Sequence, residues 1–371
     1  MNTTRNVQQS SVVKGSVRIG IAPIVLLVGS MTVGVILAEV VLRTFGFSYG
    51  NTHMESSSVL HHVHVSDHRF ISYHSSQEYG GHLVYYDNDG LRASPEATTK
   101  EEGTPTFVVA FLGDSFVEAL QVSHEDSFVG RLEAAAPSGV STRNYGTSSY
   151  GPLLYLLQWK TQIRNVKPTH VFLMLYGNDI RNDEAMTRIA TYDQTGTVVS
   201  VPGPKQTWGT TLARKSHLLR LMNMVRLQLL WVWEHRDETS ETPVAAFIEE
   251  NPNINELTDR YLRQLVAEIR ASGAALVLMA VPSKERALRS KLRTNEPSFA
   301  TKVQKWATDH TIPYVDLSSA FYAAADDKIQ IFFDRDIHFT TEGHKIVADV
   351  LTVACPKLFS QESQTENCVA R

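Results

Sequence analysis

Five short strand-like runs, set at intervals from residue 107 onward, constrain the fold of this chain more than any other feature. They are FVVAFL at 107–112, VSTRNYG at 140–146, HVFLMLY at 170–176, AALVLMAVP at 274–282 and IPYVDLS at 312–318. Most are apolar without alternation, the pattern of strands buried on both faces of a parallel sheet. Stretches of helical character separate them, at 126–135, 152–165, 255–271, 297–310 and 341–353. Their ends carry cap and stop signals, such as Gly151-Pro152 before one start and Gly273 after one end. Strands alternating with helices predict a doubly wound α/β sandwich around a mainly parallel five-stranded sheet.

In such a sheet, ligands bind beyond the carboxyl ends of the strands. Three runs end there in polar, glycine-containing turns: Gly113-Asp114-Ser115, Asn144-Tyr145-Gly146 and Gly177-Asn178-Asp179. Taken alone, Ser115 reads as a helix N-cap. As a nucleophile it needs an adjacent base. Asp336-Ile337-His338 offers one from the far end of the chain. The His338 imidazole can take the serine proton and return it to a leaving group, with Asp336 fixing the ring tautomer. Asp334 is the alternative acid, and His344 is expected inside the last helix as a packing residue. Acyl transfer also builds negative charge on an oxygen. The Ser115 N–H, the Gly146 N–H and the Asn178 amide are the candidate donors for that oxyanion. Ordinary turn or cap roles are the structural alternative for Gly146 and Asn178.

Together these residues resemble the SGNH hydrolase superfamily, the GDSL-type lipases and esterases. Ser115, Gly146, Asn178 and the Asp336/His338 pair fall in the family's block order. Phe116 stands where the family has leucine, and one residue rather than the usual two separates acid from histidine. Asn88-Asp89-Gly90-Leu91-Arg92 and Glu39-Val40-Val41-Leu42-Arg43 look like segments of its membrane-anchored bacterial members. The resemblance implies a three-layer α/β/α sandwich, flavodoxin-like, with no metal and no organic cofactor. It also implies an acyl-ester substrate, an O-acetylated glycan or a lipid of the envelope. Acyl transfer to an envelope polysaccharide and a non-catalytic scaffold or glycan-binding module are the alternatives. There is no G-x-S-x-G elbow, HExxH, P-loop or G-x-G-x-x-G sequence to point elsewhere.

Residues 19–38 carry no charge, and a helix of that length spans a bilayer core of about 30 Å. Arg5, Lys14 and Arg18 precede it with no acid among them. The positive-inside rule then leaves the N-terminus cytoplasmic and exports the rest. A cleaved signal peptide is the rival reading, but the apolar stretch is long and no clear cleavage signal follows it. The chain divides on this reading into a tail (1–18), an anchor (19–42), an irregular stalk and lead-in (43–105), the hydrolase domain (106–356) and a C-terminal tail (357–371). Within the domain, 180–255 is an insertion. Its apolar segment 216–236 is read as an extra helix packed on the sheet edge, with a lid as the alternative. His61, His62, His64 and His68 lie close together in the lead-in. With no carboxylate at a fixed spacing they read as a polar loop rather than a metal site. Cys355 and Cys368 are either a late disulfide or two free thiols. The net charge of −4, with no basic stripe, argues against a nucleic-acid partner.

Overall fold

The five runs become five strands: β1 (Phe107–Leu112), β2 (Val140–Asn144), β3 (His170–Leu175), β4 (Ala275–Ala280) and β5 (Tyr314–Val315). The computed structural model describes residues 20–47, 49–51, 53–95, 105–236, 251–294, 297–360 and 368. All five strands pair in parallel, in the order β5-β4-β3-β1-β2.

Two apolar cores explain why the runs lack alternation. Ala110 and Leu112 of β1, Val171, Leu173 and Leu175 of β3, and Leu276 and Leu278 of β4 face one core. Val109, Phe111, Phe172, Met174, Val277 and Met279, the residues between them, face the other. A period of two with both faces apolar is what a sheet covered on both sides requires. Helices Pro152–Thr161, Glu256–Ala271 and Phe299–Asp309 supply the first core. Helices Phe128–Ala135, Ser318–Asp326 and Thr341–Ala354 supply the second. The three-layer α/β/α sandwich is therefore present. Small boundary differences follow from caps. The helix expected from 126 starts at Phe128, capped by Ser127, whose side chain accepts from the Gly130 N–H.

Three expectations are corrected. The lead-in is no irregular stalk. It contains two antiparallel hairpins, Met54–Ser56 with His62–His64 and His68–Tyr73 with Gly80–Tyr86. Residues from Ser48 onward form one compact unit with the sheet. The expected edge packing of 216–236 also fails. The helix there, His217–Glu234, buries only Arg220 and leaves Met222, Leu229 and Trp233 largely exposed. Thirdly, the N-terminal helix runs Ile21–Thr44, two residues later than expected. It buries none of its residues in the protein and is long and apolar enough to cross a membrane, as an anchor or as a signal sequence. Cys355 and Cys368 form a disulfide. The expected cytoplasmic tail at 1–18, most of the tail at 357–371 and part of the insertion (237–250) lie outside the described residues.

Candidate active site

Ser115 is the first residue of the short helix Ser115–Glu118, which begins three residues after β1. Asp114 caps that helix, its carboxylate accepting the Phe116 N–H at 3.0 Å. The capping role open to a serine at such a turn is thus filled by its neighbour. Gly113 makes the turn possible. A Cβ there would meet Val117 Cγ2 at 2.4 Å and the Met174 carbonyl of β3 at 3.0 Å.

His338 arrives from the segment between Ser318–Asp326 and Thr341–Ala354, with its Nε2 2.7 Å from Ser115 Oγ. Its Nδ1 bonds Asp336 Oδ1, and the same oxygen accepts the His338 backbone N–H at 2.8 Å. A carboxylate only accepts, so Nδ1 carries the ring hydrogen and Nε2 accepts from the serine hydroxyl. Asp336 Oδ2 accepts the Tyr79 hydroxyl at 3.0 Å. Burial by itself would raise the Asp336 carboxyl. The hydrogen bonds and charge of His338, with help from Tyr79, outweigh it and hold the group well below the ordinary carboxylate range. Asp334, the alternative acid, is exposed and accepts from Gln330 Nε2 at 3.2 Å.

The acid-bearing loop is fastened by residues that sequence reasoning missed. Lys284, four residues past the end of β4, donates from Nζ to the carbonyls of Phe333 (2.7 Å), Asp334 (2.6 Å) and Asp336 (3.1 Å). The Glu78 carboxylate accepts the backbone N–H groups of Asp334 and Arg335. Tyr79 lies against His74 and Phe333, with ring centroids 4.5 and 5.0 Å away. Applied to the run at 274–282, the strand-end rule would have singled out Ser283-Lys284, whereas nothing local in the sequence marks Glu78 and Tyr79. Phe116, in the family's leucine position, packs 4.9 Å from the His338 ring. His344 is buried between Phe128 and Phe339, and burial pushes its pKa down to about 3.

The other two turns reach the same rim. Asn178 opens the helix Asn178–Thr187 after β3. Its Oδ1 is buried without a hydrogen-bond partner. Its amide also favours the charged form of the buried Asp114 carboxyl, which burial raises overall. Gly146 follows β2, and its N–H already donates to Asn144 Oδ1 at 2.9 Å. What the glycine provides here is room, since a Cβ would lie 2.2 Å from the Glu118 nitrogen.

A family model described as the GDSL-like lipase/acylhydrolase family matches residues 111–346. No curated protein matches the sequence. Among solved structures, a catalytic mutant of Axe2, an acetylxylan esterase from Geobacillus stearothermophilus, is 16% identical with a TM-score of 0.42, covering 71% of this chain and 100% of that one. LAE5, an α/β hydrolase from the metagenome of Lake Arreo in Spain, is 17% identical with a TM-score of 0.39, covering 70% and 99%. A lipolytic protein of the G-D-S-L family from Desulfitobacterium hafniense is 12% identical with a TM-score of 0.38, covering 66% and 97%. With the match spanning more than half its length, the chain belongs to the GDSL-like lipase/acylhydrolase family of ester-hydrolysing enzymes.

Proposed function

We propose that the chain is a serine esterase in which Ser115 is the nucleophile, His338 the base and Asp336 the residue that orients it. The 2.7 Å contact between His338 Nε2 and Ser115 Oγ carries this reading. The imidazole takes the hydroxyl proton as Oγ attacks the acyl carbon. Asp336 stabilises the imidazolium that results. The oxyanion is met by the Ser115 N–H and by the Asn178 amide. As the first residue of its helix, Ser115 has no intrahelical partner for that N–H. Gly146 serves as a third donor only by sharing the hydrogen it gives to Asn144. His338 then protonates the leaving alcohol, and a water activated by the same imidazole releases the acyl group.

The substrate class that fits this reading is an acyl ester on a glycan or lipid of the cell envelope. The helix Ile21–Thr44 is read as an uncleaved anchor with the active site exported. The disulfide between Cys355 and Cys368 supports an oxidising compartment.

The test uses the full chain in detergent and a fluorophosphonate probe. Labelling of the wild type that vanishes in Ser115→Ala, along with hydrolysis of p-nitrophenyl acetate, supports the assignment. A folded wild-type chain that neither labels nor turns over acyl esters overturns it. Parallel assays on acetylated oligosaccharides and long-chain esters then fix the substrate class.

A further inference from the structure

One turn after Ser115, Glu118 is fully buried, and two imidazoles converge on it. His53 Nε2 and His64 Nε2 each lie 3.2 Å from Glu118 Oε1. The three side chains are buried, and their donor atoms lie within 4.8 Å of one another. This is a different group from the one the sequence displays. Of the four clustered histidines only His64 takes part. His61 and His62 bond each other, and His62 Nε2 reaches the Ser148 carbonyl.

The protonation pattern leaves a gap that a cation fills. His64 Nδ1 is 3.0 Å from the Gly90 carbonyl, which only accepts, so Nδ1 carries a hydrogen. Nε2 of a neutral His64 then presents a lone pair to a carboxylate oxygen, and it makes no hydrogen bond. Glu118 is otherwise fully engaged, by the Tyr86 hydroxyl at 2.5 Å, the Ser148 N–H at 2.8 Å and the Ser148 hydroxyl. His53, whose Nδ1 has no partner, can donate from Nε2 to the same oxygen as a neutral ring, so the pair left facing is that of His64; an ion serves all three groups together. The distances favour the ion. An imidazolium–carboxylate hydrogen bond measures about 2.7–2.9 Å. Two ligands about 2.0–2.2 Å from a tetrahedral zinc are about 3.3–3.6 Å apart, near the 3.2 Å seen in both pairs. A carbonyl holding the outer nitrogen of a ligating histidine is the usual supporting contact. Phe70 and Tyr86 form an aromatic wall beside the two rings, 5.5 Å from His53 and 4.1 Å from His64 by ring centroid.

The geometry points to a structural divalent-cation site, zinc by ligand type, formed by His53, His64 and Glu118. It joins the first lead-in hairpin to the turn that carries Ser115. This departs from the expectation that no metal is involved. It is also independent of the esterase reading, because its readouts are metal content and melting.

The test purifies the full chain in detergent and measures zinc by inductively coupled plasma mass spectrometry. Metal is then stripped with dipicolinic acid and zinc chloride added back. The expected result is about one zinc per chain, a melting temperature that falls on stripping and recovers on refilling, and at least a tenfold loss of bound zinc in His64→Ala and Glu118→Gln. His61→Ala should keep its zinc. Should either ligand variant fail to fold, the strip-and-refill cycle on the wild type decides the matter by itself. A folded wild type that takes up no zinc and shows no melting shift overturns the proposal. So does zinc that persists in a folded His64→Ala chain.

Discussion

Tyr79→Phe removes one hydroxyl and little else, which makes it the sharpest probe of the acid–histidine pair. The ring stays between His74 and Phe333, while Asp336 Oδ2 loses its 3.0 Å donor. A hydrogen bond to a charged group contributes about 1.5–3 kcal/mol. This one is long for a hydroxyl on a carboxylate, and the Asp336 side chain keeps 13% exposure, so water replaces part of it. The lower end, about 1.5 kcal/mol, is therefore expected, and it corresponds to roughly a tenfold fall in kcat if it is felt fully in the transition state. The same loss lets the Asp336 carboxyl rise toward its ordinary value. Its folded-state value is depressed, so its contribution to stability is present above the unfolded value of about 3.9 and is lost as pH falls through the folded value. In Tyr79→Phe the acid limb of the stability profile should move to higher pH. Measurement of kcat with p-nitrophenyl acetate at pH 7, and of melting between pH 2 and 7, tests both effects. Unchanged kcat together with an unchanged acid limb would refute the coupling between Tyr79 and Asp336.

Asn178→Ala should lower kcat by roughly a hundredfold, about 3 kcal/mol for one oxyanion donor, with little change in KM. Full kcat in that variant removes Asn178 from the role. Asp183 gives the opposite pH sign to Asp336. Burial raises its carboxyl to about 7, against the Leu153 N–H and the Thr258 hydroxyl that favour the charge. The folded state therefore holds a proton that the unfolded chain releases, and stability falls as pH rises from about 4 to about 7, by an amount on the order of 4 kcal/mol. Asp183→Asn should flatten that slope in melts at pH 4.5 and 8, and an unaltered slope would exclude Asp183 as its source. Cys368→Ser opens a covalent loop between residues 13 apart, for which about 3 kcal/mol of stability is expected to be lost, read as a lower melting temperature without loss of kcat.

The sheet was legible because burial on both faces leaves a plain mark, a strand with no polar alternate residue. The site residues on its rim were legible for a related reason, since parallel strands deliver their following turns to one edge. Ser115, Gly146 and Asn178 sit where that rule sends them, whereas Asp336 and His338 lie on a loop that follows the Ser318–Asp326 helix. The Ser318–Asp326 helix was missed because its short SSAFYAAAD sequence shows little apolar periodicity. The lead-in was misread for a physical reason. Its polar, histidine-rich composition suggests a solvated loop, yet His53 and His64 are buried by partners far away in sequence. His64 meets the Gly90 carbonyl, inside the very segment that resembles the family's lead-in, and Arg92 of that segment is buried with its guanidinium on the Val122 carbonyl. The exposed apolar face of His217–Glu234 was missed because periodicity shows that a helix has an apolar face without showing whether anything covers it.

The turn that carries Ser115 and the loop that carries Asp336 and His338 lie at opposite ends of the domain's sequence, and the sheet fixes only the first directly. The acid loop follows no strand. It is held by Lys284 from the end of β4 and by Glu78 and Tyr79 from the second hairpin. That hairpin, through Tyr86, together with the first, through His64, also bears on Glu118, one turn from Ser115. The lead-in therefore contacts neighbours of both Ser115 and His338, and positioning within about 0.5 Å is what such chemistry demands. A segment whose composition suggests a tether between membrane and enzyme is, by its contacts, part of the scaffold that sets the distance between hydroxyl and imidazole.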